Sequence, residues 1–274
     1  DISKNNIYSY VTSVIGTGGS GTTELSLAIN KRLTDSLIVD LDFEHPALAP
    51  RANLNIEPHI LDAIESAQNN RENFLDAVSN KIGVSALVGL THSSLATDLR
   101  DYEIKSLIDE AKVHFSNLVL DCGTVSQCSS FLYLYETIFS ETDTFVIVGG
   151  CSPQGIIRIL EALVLVEDFI NVNELNQSQY NIEIIINNAT TERQLQQQIA
   201  DEILFCSPKC KISFVPTSKE INDMSWMGSL DYPKKWLKHL DGLLIRINNS
   251  FKQNKFTIEE TFQRPIDELI GETL

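Results

Sequence analysis

Ser13-Val14-Ile15-Gly16-Thr17-Gly18-Gly19-Ser20-Gly21-Thr22-Thr23-Glu24-Leu25-Ser26-Leu27 runs from an apolar, β-branched stretch through four glycines into a helix-compatible segment. A glycine-rich turn between strand and helix lets successive backbone N–H groups point into one cavity. The helix N-terminus adds partial positive charge, so such a turn can cradle phosphate. Gly16, Gly21 and Thr23 fit the spacing G-x-x-x-x-G-[K]-[ST], with Thr22 where the lysine belongs. That ammonium normally neutralises charge on the terminal phosphates. Thr23 keeps a hydroxyl suited to Mg²⁺, and Glu24 in the first helical turn suits the helix dipole but repels a phosphate. The same glycines also suit a turn retained for tight strand-to-helix packing, and both readings stay open.

Outward from this turn, short apolar runs alternate with helical stretches along the whole chain. The strand candidates are 8–15, 37–41, 83–90, 117–121, 144–148, 182–187 and 212–215. The helix candidates are 22–33, 60–68, 101–115, 130–139, 153–169, 192–204, 219–227 and 233 to about 251. This alternation predicts an α/β fold: a doubly wound, mostly parallel sheet with helices on both faces. Several strands are apolar almost without interruption, as strands buried on both faces should be. The polar stretch 171–179 reads as a surface loop. With 274 residues and 43% hydrophobic composition, a single domain over 1–274 is expected, ending in a helix and tail from about 233.

The formal net charge of -16 disfavours nonspecific DNA and anionic lipid surfaces. No apolar run is long enough to span a bilayer and no signal-peptide pattern opens the chain, so a cytoplasmic protein is expected. Residue 1 is Asp, which suggests a piece cut from a longer polypeptide with room for a preceding domain. Five cysteines, an odd number without zinc-site spacing, read as reduced structural thiols.

In such a sheet the strand ends share one rim with the first loop, which is where ligands bind. Asp40, Asp42 and Glu44 follow the second strand and Asp121 a later one, and acidic residues there suit Mg²⁺ held through water. Strand-end aspartates also form turns and cap helices. Asp121 reads as functional and Glu44 as structural.

Thr17 to Thr23, Asp40 and Asp42, and Asp121 together resemble the deviant phosphate-loop ATPases that include MinD, ParA and the pilus-localisation protein TadZ. The family loop reads K-G-G-x-G-K-[TS]. The family's D-x-D resembles Asp40 and Asp42, and its switch-two aspartate resembles Asp121. Asn187 sits where the family has an Asn by adenine, and Pro216 resembles its Pro-containing loop near the base. The resemblance in element order covers roughly residues 8–250, and TadZ-like or actinobacterial MinD-like members look most similar.

The resemblance implies a P-loop NTPase fold. It places phosphates on Gly16, Gly18, Gly19, Ser20, Gly21, Thr22 and Thr23, with Asn187 and Pro216 by the base. Mg²⁺ would sit near Thr23, Asp40 and Asp121, and Asp42 and Asp121 would carry catalysis if the site turns over. Both family lysines are replaced, by Thr17 and Thr22. Each lost charge-assisted contact is worth roughly 1.5–3 kcal/mol. ATP or ADP with Mg²⁺ is therefore expected to bind weakly or not at all, with little or no hydrolysis.

The expected function is a degenerate MinD/ParA-like localisation or scaffold factor that binds protein partners and forms a homodimer, for instance in pilus, secretion or division-site positioning. The alternatives are an active ATPase with a non-standard loop, aided by Lys31, Arg32 or a partner chain, and a P-loop enzyme acting on a small substrate. No His and carboxylate pair at suggestive spacing supports the last. The apolar face of Trp236, Leu237, Leu240, Leu244 and Ile247 with nearby lysines raises membrane contact through 233–252, but its spacing equally suits docking on the sheet. The acidic and apolar tail 256–274 is compatible with docking, swapping or partner binding.

Overall fold

The computed structural model describes residues 8–69, 71–81, 83–173 and 180–263, the side chains of 71–72 and 254–263 excepted. The elements in chain order begin with β1 (Tyr10–Gly16), α1 (Thr22–Arg32), β2 (Ser36–Asp40), α2 (Leu48–Ala52), α3 (Ile60–Asn69), β3 (Ser79–Lys81) and β4 (Val84–Leu87). Next come α4 (Asp101–His114), β5 (Asn117–Thr124), α5 (Val125–Ser130), α6 (Leu132–Ser140), β6 (Thr144–Gly150) and α7 (Pro153–Val172). The chain closes with β7 (Asn181–Ala189), α8 (Arg193–Cys206), β8 (Lys211–Pro216), α9 (Lys219–Met227), α10 (Lys234–Leu237) and α11 (Asp241–Gln263).

The eight strands form one sheet in the order β3-β4-β2-β5-β1-β6-β7-β8. Every pairing is parallel except β3 with β4. Side chains alternate between the two faces of each strand. Val11 and Ile15 join Leu37, Leu120, Phe145 and Ile184 on one face, under α3, α4, α6 and α7. Tyr10 and Val14 join Ile38, Val119, Val146 and Ile185 on the other, under α1, α9 and α11. The doubly wound α/β sheet with helices on both faces is as the apolar pattern dictates. Among the described residues no helix is long and apolar enough to cross a membrane.

Four departures have local causes. Ser79–Lys81 is a polar edge strand paired antiparallel to β4, and the expected strand 83–90 forms over Val84–Leu87. It carries no apolar alternation by which to find it. The helix expected at 130–139 is preceded by α5, whose sequence VSQCSS is poor in helix formers but starts at Thr124, whose hydroxyl accepts from the Gln127 amide at 3.4 Å. α2 carries Pro50 and spans five residues, too short for a periodic signal. The single helix expected over 233–251 is instead α10, a 3₁₀ turn at Lys238–Leu240, and α11.

The last helices settle where their apolar face goes. Trp236, Leu240, Leu243, Leu244 and Ile247 are buried against the sheet, and Phe251 stacks on Tyr8 and meets Tyr10 edge-on. Arg246 forks onto Glu183 of β7 with two bonds of 2.6 Å. Within 233–252 the apolar face that resembled a membrane surface is thus occupied by the protein's own core, leaving Lys234, Lys235 and Lys238 in solvent. The tail side chains from 254 onward, and most of the loop expected at 171–179, lie outside the described residues.

Cysteine chemistry is mostly closed off. Cys122, Cys128 and Cys210 are buried, and burial raises all three thiols, Cys210 to about 11. Such thiols stay protonated and inert. Cys206 is exposed and Cys151 half-buried, so the expectation of five packed thiols holds for three.

Candidate functional site: the loop at the carboxyl edge of β1

β1 lies between β5 and β6, so the loop that leaves it emerges at the centre of the sheet's carboxyl edge. Gly18, Gly19 and Gly21 adopt φ of 71°, 65° and 83°. These left-handed conformations favour glycine. At Gly16 the constraint is space: a Cβ there would sit 1.7 Å from Thr22 Oγ1. The Thr22 hydroxyl folds back under the loop, 3.2 Å from Ser20 Oγ, which in turn accepts the Thr17 N–H at 3.2 Å. Thr17 N–H also reaches Val148 O on β6 at 3.0 Å.

Side chains from other elements hold the loop from outside. Arg158 Nη1 on α7 donates to Thr17 O at 3.0 Å, and Asn187 Nδ2 on β7 donates to Ser20 O at 2.7 Å. Asn187 Oδ1 accepts the Asn188 N–H at 2.9 Å, so the side chain is engaged at both ends within the protein. Pro216 ends β8 opposite Ala189, three strands from β1.

A cavity of about 600 Å³ lies over the loop, lined among others by Gly18, Gly19, Gly21, Thr22, Thr23 and Asp42. Arg51 is its one cation among the lining residues. Its guanidinium pairs with Glu24 through two bonds, Nη2 to Oε1 at 2.6 Å and Nε to Oε2, while Nη1 donates to Ser229 O at 3.0 Å. Glu24, read from sequence as a repelling charge, is therefore neutralised by a buried partner on α2. Arg51 in turn has all three nitrogens engaged. Lys31 bonds Leu230 O and Arg32 pairs with Asp241, so neither cation reaches the loop.

The acidic residues separate into distinct roles. Asp40 accepts the Asp42 N–H at 3.1 Å and the Leu48 N–H at 3.0 Å, which makes it a turn former that starts α2. Asp42 Oδ1 accepts the His45 N–H at 2.7 Å and stands against Gly123, where a Cβ would come within 2.6 Å of its Cγ. Glu44 and His45 line the cavity wall.

Asp121 is fully buried, and neither carboxylate oxygen has a hydrogen-bond partner. Thr23, Ser26 and the Gly123 N–H lie around it without reaching bonding geometry. Burial, with a further push from the Asp42 charge, raises Asp121 to about 7. Asp40, opposite it in the β2–β5 register, is raised well above the usual range by burial and by Asp121 itself. Two like carboxyls this close resist ionising together.

The residues fit a Mg²⁺-bound phosphate in part. The left-handed glycines of the loop line the cavity, and an orphan carboxyl beside Thr23 offers a cation ligand. Asp40 has each oxygen on a backbone N–H, with one further lone pair left on each. Behind these residues Gln127 and Tyr135 tie the ends of β2 and β5 together: Tyr135 Oη donates to Leu41 O at 2.7 Å, and Gln127 Nε2 reaches Tyr135 Oη at 2.5 Å. Sequence reasoning found the loop and the aspartates but missed Arg51, Arg158 and Gln127.

Fold and loop together define a doubly wound α/β protein with a glycine-rich turn between its first strand and first helix. Solved structures with this fold include a ParA family ATPase from Chlorobium tepidum, at 17% identity and TM-score 0.71 over 86% of this chain and 98% of that one. They also include apo McdA from Cyanothece, at 15% and 0.65 over 90% and 99%. The cell-division ATPase MinD of Pyrococcus furiosus matches at 15% and 0.64 over 89% and 98%. At these identities the likeness is one of fold. No family model and no curated protein matches the sequence.

Proposed function

We propose that this chain is a ParA/MinD-like positioning protein, in the TadZ-like direction, that acts through protein partners and a second copy of itself. In this reading residues 1–274 form one domain, and nucleotide binds weakly or not at all. The observation that carries it is the state of the cations. Among the described residues that line the cavity over the loop, Arg51 is the one Lys or Arg, and Glu24 and Ser229 O already engage it. A triphosphate entering that cavity meets backbone amides but no unpaired Lys or Arg among its described lining residues, and phosphoryl transfer depends on such charge. Neighbouring folds have been solved as a MinC:MinD complex from Aquifex aeolicus and as McdA with ATP, so partner binding and nucleotide occupancy both occur on this scaffold. A pilus, secretion or division-site assembly is the class of partner we propose.

Gly16, Gly18, Gly19, Ser20, Gly21, Thr22 and Thr23 would surround whatever phosphate binds, with Thr23 and Asp121 beside its Mg²⁺. Isothermal titration with Mg-ATP and Mg-ADP, paired with a phosphate-release assay, tests the proposal. Micromolar affinity together with measurable release would overturn it. The second reading, a working ATPase with a non-standard loop, draws on the orphan Asp121 beside Thr23. That reading requires turnover that falls when Asp42 or Asp121 is changed to Ala.

A further inference from the structure

A second cavity opens at the edge of the sheet opposite the loop. It holds about 490 Å³ and is lined by the first residues of β7 and β8, with the end of α7, the turn after α8 and part of α11 around them. That volume falls in the roughly 300–1,000 Å³ range of small-molecule sites. Ligands of open α/β sheets usually sit beyond the carboxyl ends of the strands, so the fold alone does not call for a hollow at this edge.

Strand alternation gives the cavity two unlike walls. Ile182 faces α7 and, with Ile170 and Tyr180, belongs to the apolar core on that side. Glu183 and Lys211, neighbours in the β7–β8 register, lie on the face of α11 instead. The walls are braced as well. Ser207 Oγ donates to Glu167 of α7 at 2.7 Å, and Asn181 Nδ2 donates to Ser250 Oγ of α11 at 3.2 Å.

The polar wall carries a surplus charge. Glu183 is buried and has both oxygens on Arg246 at 2.6 Å. Lys211 is exposed and makes no hydrogen bond or ion pair among the described residues, which leaves its ammonium available. With Lys209, three basic side chains line the cavity against the two carboxylates of Glu167 and Glu183, in a protein of formal charge -16.

We infer that this cavity is a binding site for a small monocarboxylate with an apolar body, its carboxylate on Lys211 and its hydrocarbon on Ile170, Ile182 and Tyr180. One positive charge in excess matches one carboxylate, whereas a second anionic group would be set against Glu167 and Glu183. A wholly polar anion would leave the α7 wall without a partner. The site is separate from the glycine-rich loop and does not depend on whether nucleotide binds there.

Octanoate is the probe, with octanol and octylammonium as its neutral and cationic counterparts, each titrated into the full chain by calorimetry. Cys206 reports the location. Its exposed thiol lines the cavity, whereas Cys122, Cys128 and Cys210 are buried and Cys151 follows β6 at the other edge of the sheet. Octanoate binds tightest of the three and slows alkylation of Cys206 by iodoacetamide, read by peptide mass spectrometry, while Cys151 keeps its rate. Lys211→Met weakens octanoate about tenfold, the scale of one lost charge-assisted contact, and leaves octanol unchanged. Lys211→Arg retains the preference for the carboxylate. Ile182→Trp fills the apolar side and abolishes binding of octanoate and octanol, with thermal unfolding recorded as a check on its fold; Lys211 is exposed and decides the matter if that variant fails to fold.

Equal affinity for octanoate and octanol, tighter binding of octylammonium, or wild-type affinity in Lys211→Met overturns the inference. Calorimetric binding that leaves the alkylation of Cys206 unchanged places the ligand elsewhere and overturns it too, as does the absence of binding by the wild type.

Discussion

Replacing Asp121 by Asn turns the orphan carboxyl into a probe of how the site holds charge. Asp121 has no hydrogen-bond partner, and burial followed by the Asp42 charge raises it from 3.8 to about 7. Between those two values the native state holds a proton that the unfolded chain has released. Stability therefore falls as pH rises through that window. One pKa unit corresponds to about 1.4 kcal/mol, so the penalty grows from roughly 1.5 kcal/mol at pH 5 to roughly 4 kcal/mol above pH 7. Asparagine is nearly isosteric and carries no charge. Removing Asp121 also relieves Asp40, which its charge helps to raise, so the measured difference belongs to the pair. Urea unfolding at pH 5 and pH 8 should show the wild type losing about 2–3 kcal/mol more than Asp121→Asn across the interval. Mg²⁺ at pH 8 should restore part of the loss in the wild type and none in the variant. A wild-type-to-variant difference that stays constant from pH 5 to pH 8 would refute this account of Asp121.

Gly16→Ala drives a methyl into Thr22 Oγ1, 1.7 Å from the ideal Cβ position, and should cost about 1–3 kcal/mol in chemical denaturation. Adding Thr22→Ala to that variant removes the hydroxyl and should recover much of the loss, a coupling that additive behaviour of the two changes would disprove. Arg51→Met leaves Glu24, whose side chain is 12% exposed, buried without its partner and should destabilise by roughly 3 kcal/mol. Glu24→Gln in the same chain should return most of it, and unfolding midpoints that rank the double variant below Arg51→Met would contradict the pair's role.

The fold was legible because its strands are nearly continuous apolar runs and its first turn is rich in glycine, both local properties of the sequence. The edge strand Ser79–Lys81 was not, since a polar triplet has no hydrophobic alternation to betray it. The site divides in the same way. Asp42 and Asp121 follow apolar runs and could be found by position. Arg51 meets its partner 27 residues away and Arg158 meets the loop 141 residues away, so only the folded chain brings them together. Asn187 also bonds the loop's Ser20 carbonyl, a contact set by the order of strands rather than by any neighbouring residue and so not legible in the sequence. Glu24 likewise changed meaning once Arg51 was seen beside it.

The place of β1 in the sheet has a consequence for how this protein comes into being on the ribosome. Its two neighbours are β5, paired from Asn117, and β6, paired from Thr144, so the strand that carries the loop waits more than a hundred residues for its first partner. Contacts this distant in sequence are slow to close. The glycine turn leaves the exit tunnel well before it acquires its walls, because Arg158 and Asn187 are synthesised later still. A nascent chain stalled before residue 117 would display the motif in full and have no cavity behind it.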